Sequence, residues 1–77
     1  MARKSNRQIE IDAARRELAD VESIARENQT IDGGRAYRET WHWHYEKGGA
    51  GRALRTLKGH GEACPEFIKR SFPTWGF

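Results

Sequence analysis

Apolar positions recur along this chain with two different periods. From Ser5 to Asn28 there is no glycine or proline, and Ile11, Ala14, Leu18, Val21 and Ala25 step by 3, 4, 3 and 4. That spacing lays them along one helical stripe, which Ile24 widens. Ser5 and Gln8 fit a capping box at the start of such a helix. Asp12, Arg16 and Asp20 form an i,i+4 charge ladder on another face, and Glu22 to Arg26 repeats the favourable order. A helix is therefore predicted from Ser5 to about Asn28, after a frayed basic start at Met1 to Lys4. Its stripe fits packing on the chain's own core better than a seam with a second copy. The seam would run for only about two heptads, with alanine at two positions.

The second period is two. Tyr37, Trp41, Trp43 and Tyr45 fall on one parity, while Arg38, Thr40, His42 and His44 fall on the other; Glu39 alone breaks the apolar set. This alternation predicts a half-buried strand over residues 35 to 47, with an aromatic face inward and a polar, cationic face outward. The segment is long for one strand, so a bend or two strands is implied. Tyr37, Trp41 and Tyr45 are also four apart, which keeps a helical reading open.

The punctuation supplies the rest. Asn28, Asp32, Gly33 and Gly34 mark a helix stop and a turn, and Gly48 to Gly51 a second turn. Residues 52–58 read either as a short helix capped by Gly59 or as the return strand of a hairpin. A lone strand cannot satisfy its backbone, so the hairpin is preferred. After a loop at 59–63, Pro65 opens a short helix to about Arg70 that buries Phe67 and Ile68. Phe72, Pro73, Trp75 and Phe77 form an aromatic tail that folds back on the core or inserts into a partner. The expected fold is a single α+β domain over residues 1–77. A long N-terminal helix packs on a small antiparallel sheet, a short C-terminal helix or tail closes one side, and residues 1–4 and 73–77 are flexible ends.

Composition bounds the function. Seventy-seven residues make one domain with a thin core, to which eight aromatics contribute much of the burial. A second copy could supply what the core lacks, so a homodimer is one expectation. There is no charged-then-apolar leader and no spanning segment, which places the protein in solution, in the cytoplasm, with no membrane partner. Cys64 is the only cysteine, which suits a reducing compartment.

Fourteen Lys and Arg against eleven Asp and Glu leave a net charge of +3. The excess lies in the second half of the chain, where Lys47, Arg52, Arg55 and Lys58 form a run without an acidic residue. Arginines outnumber lysines, and their forked donors suit carboxylates and phosphates.

Five chemistries fit parts of this pattern. His42 and His44, with His60 and Cys64 four apart, are a conceivable zinc set, but Gly61 and Pro65 disfavour helix between the second pair and no paired-cysteine signature exists. Cys64 and His60 as a nucleophile and base lack an orienting group and an oxyanion site. Residues 47–52 could cradle a phosphate, yet the G-x-x-x-x-G-K pattern is absent. Cations beside Trp and Tyr suit single-stranded nucleic acid, but an aromatic face under a helix cannot stack on bases. Arg, Trp and Tyr also dominate protein interfaces.

The sequence thus favours a small non-enzymatic, protein-binding regulator without a cofactor, in the manner of phage-made inhibitors of a larger host complex. Arg38, His42, His44, Arg52, Arg55, Lys58 and Trp75 are its expected contacts. The alternatives are a nucleic-acid-binding protein using residues 47–58, and a small zinc-stabilised domain built on His42, His44, His60 and Cys64. The expected partner is a larger protein or nucleoprotein complex.

Overall fold

Ser5 starts the first helix with an extended backbone and a hydroxyl that accepts the Gln8 N–H at 3.2 Å. The Gln8 side chain donates to Asp12 Oδ1 at 2.8 Å and does not reach back to Ser5, so only half of the expected capping box forms. The structure is a computed structural model that describes residues 5–28 and 30–77; the basic start at 1–4 lies outside them. Helix α1 spans Asn6–Arg26, α2 Arg35–Glu46, α3 Ala50–Gly59 and α4 Glu66–Ser71, with single 3-10 turns at Ile31–Gly34 and Pro73–Trp75. No strand occurs among the described residues, and this overturns the α+β expectation.

The predicted stripe is the core face of α1. Ile11, Ala14, Leu18, Val21 and Ala25 are all buried, whereas Ile24, read as widening the stripe, is 46% exposed. Against this face pack Trp41 of α2 and Ala50, Ala53, Leu54 and Leu57 of α3, with Cys64, Ile68 and Phe72 closing the far side. Each large side chain fully buried here contributes roughly 1.5–3 kcal/mol. Trp41, with 0% exposure, is the largest of them.

The strand at 35–47 is corrected to helix α2, and the hairpin return at 52–58 to helix α3. Tyr37, Trp41 and Tyr45 fit both periods, so residues 39 and 43 decide between them. A helix turns Glu39 and Trp43 outward, and both are exposed. Helices also satisfy the backbone within each segment, which removes the need for a paired strand. The two helices can approach closely here because Gly51, in the first turn of α3, has no side chain: a Cβ there would lie 2.5 Å from the Tyr45 carbonyl oxygen.

Helix α3 returns antiparallel to α1, with Gly49 beside Glu17 and His60 beside Glu10. It ends in a Schellman motif at Gly61, not at Gly59. Gly61 has φ +72°, its N–H bonds the Lys58 carbonyl, and the Glu62 N–H bonds the Leu57 carbonyl. Pro65 precedes α4 as expected, and Ile68 is buried. The aromatic tail folds back: Phe72 joins the core, and Trp75 and Phe77 pack against it.

Candidate interaction surface on helix α3

The apolar positions of α3 leave one outward face, and it is cationic. Arg52, Arg55 and Lys58 step by three residues along that face, all are exposed, and the helix contains no acidic residue. None of the three has an ion-pair partner among the described residues. Glu10 and Glu17 face the groove beside Arg52 without an ion pair to it, and Glu10 instead meets His60 Nε2 at 2.8 Å. Past the end of the helix, Glu62 accepts from Arg15 at 2.6 Å and Arg7 at 3.4 Å.

Two grooves flank this ridge. Toward α1, a groove of about 490 Å³ is lined by Ala13, Ala14, Gly49 and Ala53, with Glu10, Glu17, Arg52 and Thr56 also facing it. Toward the C-terminus, about 200 Å³ lies between Arg55 and Lys58 on one side and Tyr45, Trp75 and Phe77 on the other. The fold thus brings Trp75 to Arg55 and Lys58, while Arg52 opens on the opposite groove.

The rings beside the ridge are engaged with one another. Trp75 stacks on Tyr45 at 4.1 Å and 4° and on Phe72 at 4.1 Å and 14°. Two near-parallel rings that close must occupy opposite faces of the indole, because side by side they would collide. His42 meets the Phe72 and Trp75 rings edge-on at 5.5 and 5.2 Å.

The other expected contacts lie apart from this surface. Residues two apart on a helix diverge by about 200°, so His42 and His44 do not share a face. His44 meets Trp43 edge-on at 4.9 Å. Arg38 borders a depression with Gly33, Gly34, Tyr37 and Ser71.

The zinc set is likewise dispersed. His60 Nε2 lies 2.8 Å from Glu10, and Cys64 is buried. Among the described residues no three His, Cys, Asp or Glu side chains converge on a metal position. Burial pushes the Cys64 thiol up, against a smaller opposing effect of the Phe77 backbone, so it is not an activated thiolate. The glycine turn is no open phosphate cradle either. The Glu17 carboxylate sits against Gly49 at the start of α3, where an anion would meet it.

No family model, curated protein or solved structure matches this chain. No helix among the described residues is long and apolar enough to cross a membrane.

Two residues escaped the sequence reading. Trp43, assigned to the buried aromatic face, is 54% exposed on the outer side of α2 with Ala36, Glu39, Thr40 and His44. Glu22 is the one charged residue in the core among the described residues. Its Oε2 accepts from Tyr37 Oη at 2.7 Å and Trp41 Nε1 at 3.1 Å, and its Oε1 from Arg26 Nε at 2.7 Å. The available signal for Glu22 was its place beside Val21 and Ala25 on the stripe.

Proposed function

We propose that this protein is a small non-enzymatic regulator that docks the cationic face of α3 onto an acidic surface of a larger protein. The observation that carries this reading is the unpaired ridge of Arg52, Arg55 and Lys58 beside the packed rings of Tyr45 and Trp75. Arginine forks and a rigid aromatic shoulder are the groups that anchor protein interfaces. Regulation would follow from covering a working surface of the partner, which requires no chemistry from this chain. The buried, unactivated Cys64 thiol agrees with that mode of action and with a reducing compartment.

The stacking geometry favours protein over nucleic acid. Both faces of Trp75 are covered, by Tyr45 and Phe72, so the tryptophan beside the cations has no face for a base. Trp43 has exposed surface, but its groove shares no residue with the two grooves beside α3. What the ridge offers nucleic acid is charge alone, on a chain of net charge +3.

Titration of labelled single- and double-stranded oligonucleotides at stepped salt tests the choice. The expected result is binding no tighter than the roughly 10⁻⁴–10⁻⁶ M of non-specific contacts at physiological salt. Submicromolar binding that falls steeply and linearly in log–log form with salt would replace this reading with nucleic-acid binding.

A further inference from the structure

We infer that the groove between α3 and the C-terminal turn takes an acidic peptide segment of the partner, with a carboxylate on Arg55 and Lys58 and a neighbouring apolar side chain on the rings opposite. This rests on the docking role proposed for α3 and names which side of the ridge is used and by what. The two shoulders of the ridge differ. Glu10 and Glu17 of α1 face the groove on the Arg52 side. The groove on the other side holds Arg55 and Lys58, and none of its lining residues is acidic. Glu46, next to Tyr45 in sequence, is not among them. An anionic segment approaching α3 is thus repelled on one shoulder and attracted on the other.

Helix geometry produces the asymmetry. Three residues turn about 300°, so Arg55 is offset from Arg52 by about 60° and Lys58 by about 120°. The offset carries the ridge from the α1 side toward the tail. Gly51 leaves room in the same groove, because Arg55 Nη1 lies 3.6 Å from where a Cβ on Gly51 would stand. Neither Arg55 nor Lys58 has an ion-pair partner among the described residues, and exposed Thr74 adds a hydroxyl. Opposite stand Tyr45, Trp75 and Phe77, each partly exposed. The stack of Tyr45, Trp75 and Phe72 holds this wall in place before anything binds, which spares an ordering cost. The groove volume of about 200 Å³ lies below the roughly 300–1,000 Å³ of small-molecule sites. It suits one or two side chains of a larger partner. Cations on one wall and rings on the other select an acidic residue with an apolar neighbour, and a carboxylate matches the arginine fork.

Amide-resolved NMR titration of the full chain with a capped tetrapeptide, two glutamates flanked by leucines, tests this. The expected result is a set of shifts at Gly51, Arg55, Thr74 and Trp75 that saturates with a dissociation constant on the order of 1 mM. The shifts should vanish at about 1 M salt, where the Debye length is about 3 Å. Replacing the glutamates by glutamine should abolish them, and replacing the leucines by glycine should weaken binding about threefold. Arg55→Gln or Lys58→Gln should weaken binding about fivefold, and Arg52→Gln less than about twofold. All three positions are exposed, so circular dichroism should report unchanged helix content. Shifts centred on the Glu10 and Glu17 side, an equal loss from Arg52→Gln, or inorganic phosphate binding as tightly as the peptide would overturn the inference. So would the absence of shifts up to about 10 mM peptide. Docking on α3 is tested separately, by capture of the partner and its loss when all three cations are reversed.

Discussion

Trp41 donates its indole N–H to Glu22 Oε2 at 3.1 Å, joining α2 to the core face of α1. The same oxygen accepts the Tyr37 hydroxyl at 2.7 Å, and Arg26 holds the other oxygen. A buried indole and a part-buried phenol thus share one acceptor. Removing that acceptor leaves the buried donor unsatisfied, which costs about 1–3 kcal/mol. Arg26 itself is largely exposed, so its part-buried contact adds less. Glu22→Ala should therefore lower Tm by about 10 °C in thermal denaturation. Glu22→Gln, which keeps one acceptor oxygen, should lose less.

The pH dependence at the alkaline end follows from Tyr37. Burial raises its pKa above the ordinary value of 10.0, and the hydrogen bond to Glu22 raises it further. The folded state thus favours the neutral phenol. Its contribution to stability is complete below the unfolded pKa of about 10 and is lost as pH rises through the higher folded value. Chemical denaturation between pH 8 and 11 should show stability falling at the upper end. Tyr37→Phe should flatten that fall while lowering stability at pH 8, where the hydroxyl bond is lost.

The exposed and buried tryptophans should separate cleanly. Trp43→Ala removes a ring that is 54% exposed on the outside of α2, and its effect on stability should stay within about 0.5 kcal/mol. Trp41→Ala empties the centre of the core and should cost about 3–5 kcal/mol, enough to unfold much of a domain this small. Urea titration followed by circular dichroism measures both.

Cys64 should be inert in the native state. It is buried and its thiol is pushed up by desolvation, so little thiolate forms and access is blocked. A thiol reagent at pH 8 should label it slowly in buffer and at the rate of a free cysteine in denaturant. Fast native labelling would mean that the Cys64–Phe77 region opens readily.

The sequence made α1 legible because its stripe extends over five apolar positions without a glycine or proline. It misled at α2 for a definable reason. Tyr37, Trp41 and Tyr45 satisfy periods of two and of four, and aromatic residues favour strands only where a pleated, half-buried surface exists for them. Glu39 carried the contrary signal, as an acidic residue on the supposedly buried parity. At α3, the demand for a strand partner outweighed Leu54 and Leu57, whose spacing of three was the helical clue. The cations of α3 were recognisable as a run, but only the helix sets them on one face, because in a strand Arg55 falls on the opposite parity from Arg52 and Lys58. The common face of His42 and His44 did not survive the change from strand to helix, because a shared face for residues two apart exists only in a strand. The stacking of Trp75 between Tyr45 and Phe72 was not readable, since it joins side chains of α2 and the tail whose approach depends on the whole fold.

The most direct measurement is affinity capture from nuclease-treated lysate of the source organism or its host. The parent chain is compared with one carrying Arg52→Glu, Arg55→Glu and Lys58→Glu. The account predicts that the parent retains a discrete protein complex after nuclease treatment and that the charge-reversed chain, with unchanged helix content, loses it. Equal capture by both chains, or capture by the parent that disappears with nuclease, would contradict a protein-docking role for the cationic face of α3.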